Sequence, residues 1–570
     1  MMMLGKVAIF VLLASLPMQA QANAFLGRQS QEMRSERASA DTQAALLGEL
    51  EGALGSEHRT FTERRLSKIQ DTVSSIYQSM PKNKHGKLGH GAVSYILHRL
   101  FVQRHAWFIN GLQPGGNGEA AWNKTSPLTL FQDNVPEFVQ STFEKRFDKN
   151  SSQGVGMHEI AVMAATLEHL VHKEAIDRLK LAYEVHQYTP EDVVSSAEAP
   201  EVLDTYMVDY ILGFWLPENK TVQDIKSVRD KIGEIYPTWT DTQRFIREVM
   251  ESVAPQRDYL YFSDVSTVIE EAGERYGRWQ DHECRTLKQT LLEVEDTGPG
   301  GAGRVRAADF YKLALHEGKW QFSESIPYLR QLGALDESEP SNPRIIVTNY
   351  IYSPSNCVAS SSYYSVCCID ECEGLLAHLE RELVKPDARP SEIAAIVSSL
   401  SSPTQQNRTL SAWLLQQLDN VAAHHGGLVP LHGRLFSQWM HFAYPRECPY
   451  PHVSGTTDPQ RFYDNSKDTE FYSVTKEEMQ HHLDSVPARI PEIQNASVHE
   501  ELMMLSMEEE LVVWRPPAEA RAASSLSVSS LLRGSAFVAT VVVTTAGLMK
   551  SFSACSVNLV GGPTPEKYFV

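Results

Sequence analysis

Asp148-Lys149-Asn150-Ser151-Ser152-Gln153-Gly154-Val155-Gly156-Met157-His158-Glu159 is the stretch on which the reading of this chain turns. Oxygen donors at positions 1, 3, 5, 7, 9 and 12 of a twelve-residue turn wrap it around one divalent ion. A final glutamate closes the sphere with both of its oxygens. Asp148, Asn150, Ser152, the carbonyl of Gly154, a water above Gly156, and Glu159 stand at those places. Val155 occupies the eighth position, where an apolar residue pairs with a neighbouring loop. Helical spacing flanks the turn, with Phe138, Phe143 and Phe147 before it and Leu167, Leu170 and Val171 after it.

On these residues the segment resembles the EF-hand superfamily, most specifically over residues 138–200. The resemblance implies calcium as the ion and helix–loop–helix units that work in pairs. Gln153 departs from the pattern, because the family uses glycine at position 6 for a sharp turn with positive φ. A non-glycine residue there costs on the order of 1 kcal/mol. Only Asp148 and Glu159 are anionic, so the expected affinity is weak, about 10⁻⁴ to 10⁻³ M. Asn150 also opens the sequon Asn150-Ser151-Ser152, and a glycan on it would abolish ion binding.

A partner is expected in the next loop, Gln187 to Glu198, where Val194 matches Val155 and Glu198 matches Glu159. Gln187 and Thr189 are uncharged, so this loop would brace the first rather than bind. Two further loops keep the outline without the ligands. Pro81 to Ala92 has Gly86 and Leu88 at positions 6 and 8, and Gly298 to Asp309 has Gly303, Val305 and Asp309 at positions 6, 8 and 12. Asp241 to Tyr276 is a weaker candidate for another unit.

The expected fold class is therefore mainly α. Tandem EF-hand-like units would be followed by a Cys-rich, mostly helical domain and a C-terminal apolar segment. The expected division is a signal peptide (1–24), a polar lead-in (25–60), one degenerate unit (61–125), an EF-hand pair (130–235) and a degenerate pair (236–335). A Cys/His-rich domain (344–455), an acidic linker with a helix near Val498 to Leu511 (456–530), and a candidate transmembrane anchor (534–549) complete it. A Glu/Ser/Asn/Pro stretch, Asp336 to Pro343, separates the two halves, and Ile345 to Thr348 reads as a strand.

Lys6, the apolar run Val7 to Leu16 and the small residues at Ala20, Ala22 and Ala24 form the signal-peptide pattern. Gly534 to Met549, bounded by Arg533 and Lys550, would rise about 24 Å as a helix against a hydrocarbon core of roughly 30 Å. Snorkelling cations can close that gap, so it reads as a single membrane anchor. The alternative is a buried element of a secreted, soluble protein. A secretory route would also make Asn123, Asn219, Asn407 and Asn495 acceptors for glycans.

The chain has 570 residues, 42% hydrophobic and 22% charged, with a net charge of −19. That is a globular composition spread over several domains. Its acidity argues against a nucleic-acid partner, since such binders carry basic faces. Of seven cysteines, Cys284, Cys357, Cys367, Cys368, Cys372 and Cys448 form an even set for an oxidising compartment, with pairing undetermined by sequence. Adjacent Cys367 and Cys368 are expected to take different partners.

Segment 357–452 also gathers His424, His425, His432, His441 and His452, so the alternative reading is a lumenal enzyme or zinc protein using these Cys and His side chains. No P-loop, HExxH or GxSxG sequence accompanies them. Gly298, Gly300 and Gly303 have dinucleotide-fingerprint spacing but follow a helical stretch, which that motif excludes. The functional expectation is a secretory-pathway, membrane-tethered EF-hand protein, calcium-binding or structural, that engages an unidentified protein partner.

Overall fold

The computed structural model describes residues 59–83, 85–109, 112, 154–212, 221–236, 238–317, 321–360, 364–405, 409–459, 469–485 and 506–511. Among them the chain is mainly helical, and its strands are only two or three residues long. Short strands matter here because they clip loops together in antiparallel pairs.

Helices α1 (Arg59–Ser79) and α2 (His90–His105) flank the first loop, and β1 (Trp107–Ile109) follows. Helix α3 (Met157–Val185) leaves the loop that ends at Glu159. Leu88 and Val155 bridge these two loops, each backbone N–H donating to the other's carbonyl at 2.9 Å. A second pair joins β2 (Val194–Ser195), which leads into α4 (Ala199–Leu212) and α5 (Val222–Arg229), to β3. Helix α6 (Trp239–Val253) precedes β3 (Tyr259–Leu260), and α7 (Phe262–Glu293) follows it, with Val194 opposite Leu260.

The third pair sets β4 (Arg304–Arg306), ahead of α8 (Ala307–Glu317) and α9 (Ile326–Gln331), against a hairpin. That hairpin is β5 (Leu335–Asp336) and β6 (Arg344–Ile346), with α10 (Val347–Ile351) continuing from it. Val305 and Leu335 both face Ile345 across the sheet. Strands β7 (Val358–Ser360) and β8 (Tyr364–Val366) then return to pair with β1. The fourth pair follows α11 (Glu371–Leu383): β9 (Asp387–Ala388) and α12 (Pro390–Ser399) pack against α13 (Ala412–His424), β10 (Val429–Pro430) and α14 (Arg434–Ala443). Here Val429 lies opposite Ala388. Short helices α15 (Thr469–Tyr472) and α16 (Lys476–Ser485) end the described helical part.

The loop pairing differs from the expected one. Val155 bridges Leu88, not the loop containing Val194, and Val194 bridges Leu260 instead. Helix α3 is the reason. It is one continuous run of 29 residues, about 43 Å long at 1.5 Å per residue, and it holds the Val155 and Val194 loops at opposite ends. Helix α7, with 32 residues, separates the Leu260 and Val305 loops in the same way.

Three further expectations change. Residues 336–343 are not a divider, because they join β5 to β6 inside one sheet and one core with Phe310, Tyr328 and Tyr350. The strand expected over Ile345 to Thr348 stops at Ile346, and Val347 begins a helix. The helix expected near Val498 to Leu511 is absent over residues 506–511, which run extended and bridge Gly433 through Leu511, with Met507 exposed. Residues 1–58 and 534–549 lie outside the described residues. Among those described, no helix is long and apolar enough to cross a membrane.

Three cores hold these elements. The first gathers Trp107, Tyr183, Tyr206 and Tyr276 around α2, α3, α4 and α7. The third centres on Leu379, Val397, Trp439 and Tyr444. Gly277 lets α7 cross the end of α2 closely, since a Cβ there would lie 2.1 Å from the His105 carbonyl oxygen. Three disulfides staple the cores: Cys284–Cys368, Cys357–Cys367 and Cys372–Cys448. Adjacent Cys367 and Cys368 thus have different partners. A buried ion cluster adds to them, in which the Arg99 guanidinium of α2 meets Glu380 and Glu373 of α11, while Glu380 also bonds the His432 ring at 2.8 Å.

Candidate functional site

Each bridging residue sits four positions before the place where a calcium loop would carry its closing carboxylate. Five of the eight such places hold an acid: Glu159, Glu198, Asp264, Asp309 and Glu392. Glu159, Asp264, Asp309 and Glu392 are each the third residue of the helix that follows the bridge, placed to reach back toward the cap, whereas Glu198 stands immediately before α4. Glu159 Oε2 accepts the Gly156 N–H at 2.9 Å, Asp264 Oδ2 that of Tyr261 at 3.0 Å, and Glu392 Oε2 that of Arg389 at 2.9 Å. Because the cap residues Gly156, Tyr261 and Arg389 have no oxygen suited to capping, these carboxylates do the work of satisfying the free helix N–H groups.

A fixed cation or hydroxyl takes what remains of each carboxylate. Lys87 Nζ lies 3.0 Å from Glu159 Oε1, reaching across the bridge from the partner loop. Arg257 Nη1 meets Asp264 Oδ1 at 2.6 Å, Arg306 Nε meets Asp309 Oδ2 at 2.7 Å, and Lys385 Nζ sits 2.8 and 2.9 Å from the two Glu392 oxygens. The Lys385 ammonium, together with the Arg389 N–H, holds Glu392 below the usual carboxylate range. Ser195 and Tyr188 hydroxyls do the same for Glu198. Arg257 and Lys385 both stand seven residues before their acids, at the fifth place of a twelve-residue loop. That is where a calcium loop supplies an oxygen.

In the first pair, protein groups close the turn ahead of Leu88. Asn83 Oδ1 accepts the N–H groups of His85 and Lys87 at 2.9 and 3.0 Å, and Gly86 turns with φ +71°. In the other loop the left-handed residue is Gly154, φ +69°, one place later than the family's usual glycine. A Cβ on Gly154 would lie 2.8 Å from the Leu88 carbonyl oxygen, so the bridge itself requires glycine there. His158 adds a tie to α1 through Gln70 at 2.8 Å.

Of the expected ligand set, Gly154 and Glu159 are placed as described, whereas Asp148, Asn150 and Ser152 lie outside the described residues. So do the sequons at Asn123, Asn150, Asn219, Asn407 and Asn495. No family model, curated protein or solved structure matches the chain.

Three bridged loops lack the acid, with Ala92, Asn349 and Gly433 in its place. Asn349 instead clamps Tyr450, donating from Nδ2 to its carbonyl at 2.9 Å and accepting its N–H at 2.7 Å. Three loops escaped the sequence reading, those bridged at Ile345, Ala388 and Val429, and the loop bridged at Leu260 falls within the weaker candidate Asp241 to Tyr276 without its positions having been assigned. Leu260 with Asp264, and Ala388 with Glu392, repeat the apolar-then-acid spacing of Val155 with Glu159 just ahead of an amphipathic helix. That spacing was the available signal.

In segment 357–452, all five cysteines are disulfide-bonded, and most of the histidines have protein partners. His432 bonds Glu380, His441 Nδ1 lies 2.8 Å from the Cys448 carbonyl oxygen, His452 Nε2 lies 2.7 Å from that of Gly333, and His425 meets Glu509. Among the described residues no three His, Cys, Asp or Glu side chains converge as metal ligands would.

Proposed function

We propose that this chain is a structural EF-hand-like scaffold of the secretory pathway in which internal ion pairs stand where calcium would bind, and that it serves as a protein-interaction module. The carrying observation is Glu159, whose two oxygens are committed to the Gly156 N–H and the Lys87 ammonium. The four antiparallel loop pairs support the EF-hand-like part of the reading. The disulfides and the signal-peptide pattern support the secretory part.

The commitment of Glu159 to the Gly156 N–H and the Lys87 ammonium argues against a resident calcium ion at this loop. Lys87 and Glu159 side chains are 23% and 8% exposed, so their pair is partly shielded. A unit charge about 4 Å away is worth about 4 kcal/mol at an effective dielectric of about 20, before screening. Calcium would have to expel that ammonium and take a capping carboxylate from its helix.

Calorimetric titration of the full-length chain with calcium tests this, beside Glu159→Gln and Lys87→Met. Wild type and Glu159→Gln are expected to give equal heats, and Lys87→Met to gain about tenfold in affinity once the fixed cation is gone. A wild-type heat at submillimolar calcium that Glu159→Gln abolishes would overturn the reading.

A further inference from the structure

Among the described residues, Gly433 is the bridged loop end where the missing carboxylate is supplied from elsewhere in the chain. The extended segment Ser506–Leu511 lies across the start of α14, bridging Gly433 through Leu511, while the Arg434 N–H donates to the Glu510 carbonyl at 2.9 Å. Glu509 fills the vacant carboxylate position. Its Oε1 accepts the Leu435 N–H at 3.2 Å and its Oε2 lies 2.6 Å from His425 Nε2. A Cβ at residue 433 would lie 3.0 and 3.1 Å from those oxygens and 2.9 Å from the Leu511 side chain, so glycine leaves the room the segment uses.

Arg434 is built to read a main chain. Its side chain is buried, and Nε donates to the Glu508 carbonyl at 2.9 Å and Nη2 to the Ser506 carbonyl and hydroxyl at 3.0 Å each. Only Nη1 turns inward, to Pro451 O at 2.9 Å. Glu510 completes the set by accepting the Ser454 N–H and hydroxyl at 3.1 and 3.0 Å. Apart from the Ser506 hydroxyl, these anchors are carbonyls and carboxylates. Apolar burial contributes little, since Met507 is 45% exposed and Leu511 is only partly covered. Such a contact set is that of a strand-addition ligand with charge-assisted ends, which another acidic strand can replace.

We propose that the Val429 loop and the first turn of α14 form a docking site for extended acidic peptides of the pattern Glu-Glu-aliphatic, and that Ser506–Leu511 occupies it in cis until a partner's segment displaces it. The inference rests on the reading of the chain as an interaction scaffold and names the ligand chemistry. A tethered segment acts at an effective concentration of about 1 mM, so a free peptide that binds at about 10 μM is weakened about 100-fold while the segment is seated.

The test is fluorescence anisotropy with a labelled synthetic peptide spanning residues 504–513, added to the full-length chain. The double variant Glu509→Ala/Glu510→Ala is expected to bind the peptide at least tenfold more tightly than wild type. Adding Arg434→Lys to it is expected to weaken the peptide again by tenfold or more. If the double variant keeps the wild-type circular dichroism yet binds no peptide, or binds it no better than wild type, the site is refuted. Should the double variant fail to fold, Glu510→Ala alone, which removes only the Ser454 contacts, gives the same comparison with a smaller gain. The titration is run with and without calcium, so a failure here leaves the calcium result untouched and the reverse holds too.

Discussion

Glu324 couples the docking of residues 469–485 to pH. It precedes α9 and bridges Ser473 in the backbone, flanked by Ser325 N–H donating to the Tyr472 carbonyl at 3.0 Å and Val474 N–H donating to that of Ser323 at 2.9 Å. Its Oε1 accepts the Tyr350 hydroxyl at 2.9 Å, and Oε2 is shielded from solvent with no partner among the described residues. Burial pushes the carboxyl up from 4.5 to about 7. The docked state therefore holds a proton that the undocked state releases. Its stabilising contribution is complete below about pH 4.5 and is lost as pH rises through about 7. The whole linkage is about 3 kcal/mol, at 1.36 kcal/mol per decade. Hydrogen exchange over 469–485, corrected for intrinsic rates, is expected to show local opening rising between pH 5 and 8 by up to about two decades. Glu324→Gln keeps an acceptor for Tyr350 without the charge, so its opening should stay flat over that range. Tyr311 and His482, whose rings meet 5.2 Å apart, also titrate at this contact, as do Tyr350, Glu478 and His481; burial holds both tyrosines above their usual value, the Thr475 N–H and hydroxyl hold Glu478 below its own, and His482, held below its usual value by burial, sheds its proton at lower pH. An unchanged pH profile in Glu324→Gln, or docking that tightens with rising pH, would refute the argument.

Two glycines one turn apart on α7 separate packing from propensity. Gly277→Ala places a methyl 2.1 Å from the His105 carbonyl oxygen, and the strain of about 1 to 3 kcal/mol outweighs the roughly 1 kcal/mol that alanine gains in a helix. Gly273→Ala meets nothing within 4 Å and is expected to raise the midpoint of thermal unfolding, while Gly277→Ala lowers it. For the disulfide framework, Cys284–Cys368 spans 84 residues of sequence, and its loss is worth about 4 to 5 kcal/mol by chain entropy. Cys284→Ser with Cys368→Ser should melt well below wild type. Dithiothreitol, which opens the other two bonds as well, should bring wild type and variant to about the same midpoint, and an unreduced variant that melts with unreduced wild type would show that this bond is not formed.

The helical character of the chain was legible because apolar residues recur at three and four spacing along long stretches, as in α3 and α7. Loop positions were legible where glycine marks the turn, at Gly86 and Gly303. They were hidden where Asp258, Pro343 or Pro386 stands two residues before the bridge instead, and at Val429, where Gly427 marks the turn but Gly433 replaces the closing acid. Pairing was not legible, for a geometric reason: neighbours in sequence look like natural partners, yet a continuous helix of some forty ångströms carries the Val155 and Val194 loops apart. The cations were visible as residues but silent as chemistry. A ligand count over one loop scores Glu159 as a free carboxylate, and only the bridge brings Lys87 of the other loop within 3.0 Å of it. Cysteine pairing was equally out of reach, since Cys284 on α7 and Cys368 beyond β8 meet only through the fold.

An internal cation changes what these loops can do. An ion that comes and goes moves helices because its binding energy differs between two arrangements. On the reading proposed above, Lys87, Arg257 and Lys385 supply the positive charge permanently, so the angle between helices at each pair is set once, at folding. Switching must then reside where contacts are polar, few and replaceable. Both described segments nearest the C-terminus fit that requirement. Residues 469–485 dock beside a carboxyl that titrates at about 7, and Ser506–Leu511 lies on Arg434 through main-chain carbonyls and the Ser506 hydroxyl, with its carboxylates on Leu435, His425 and Ser454. If calcium acts on this protein, it should do so without displacing either segment, whereas acid should tighten the first and an acidic peptide should release the second.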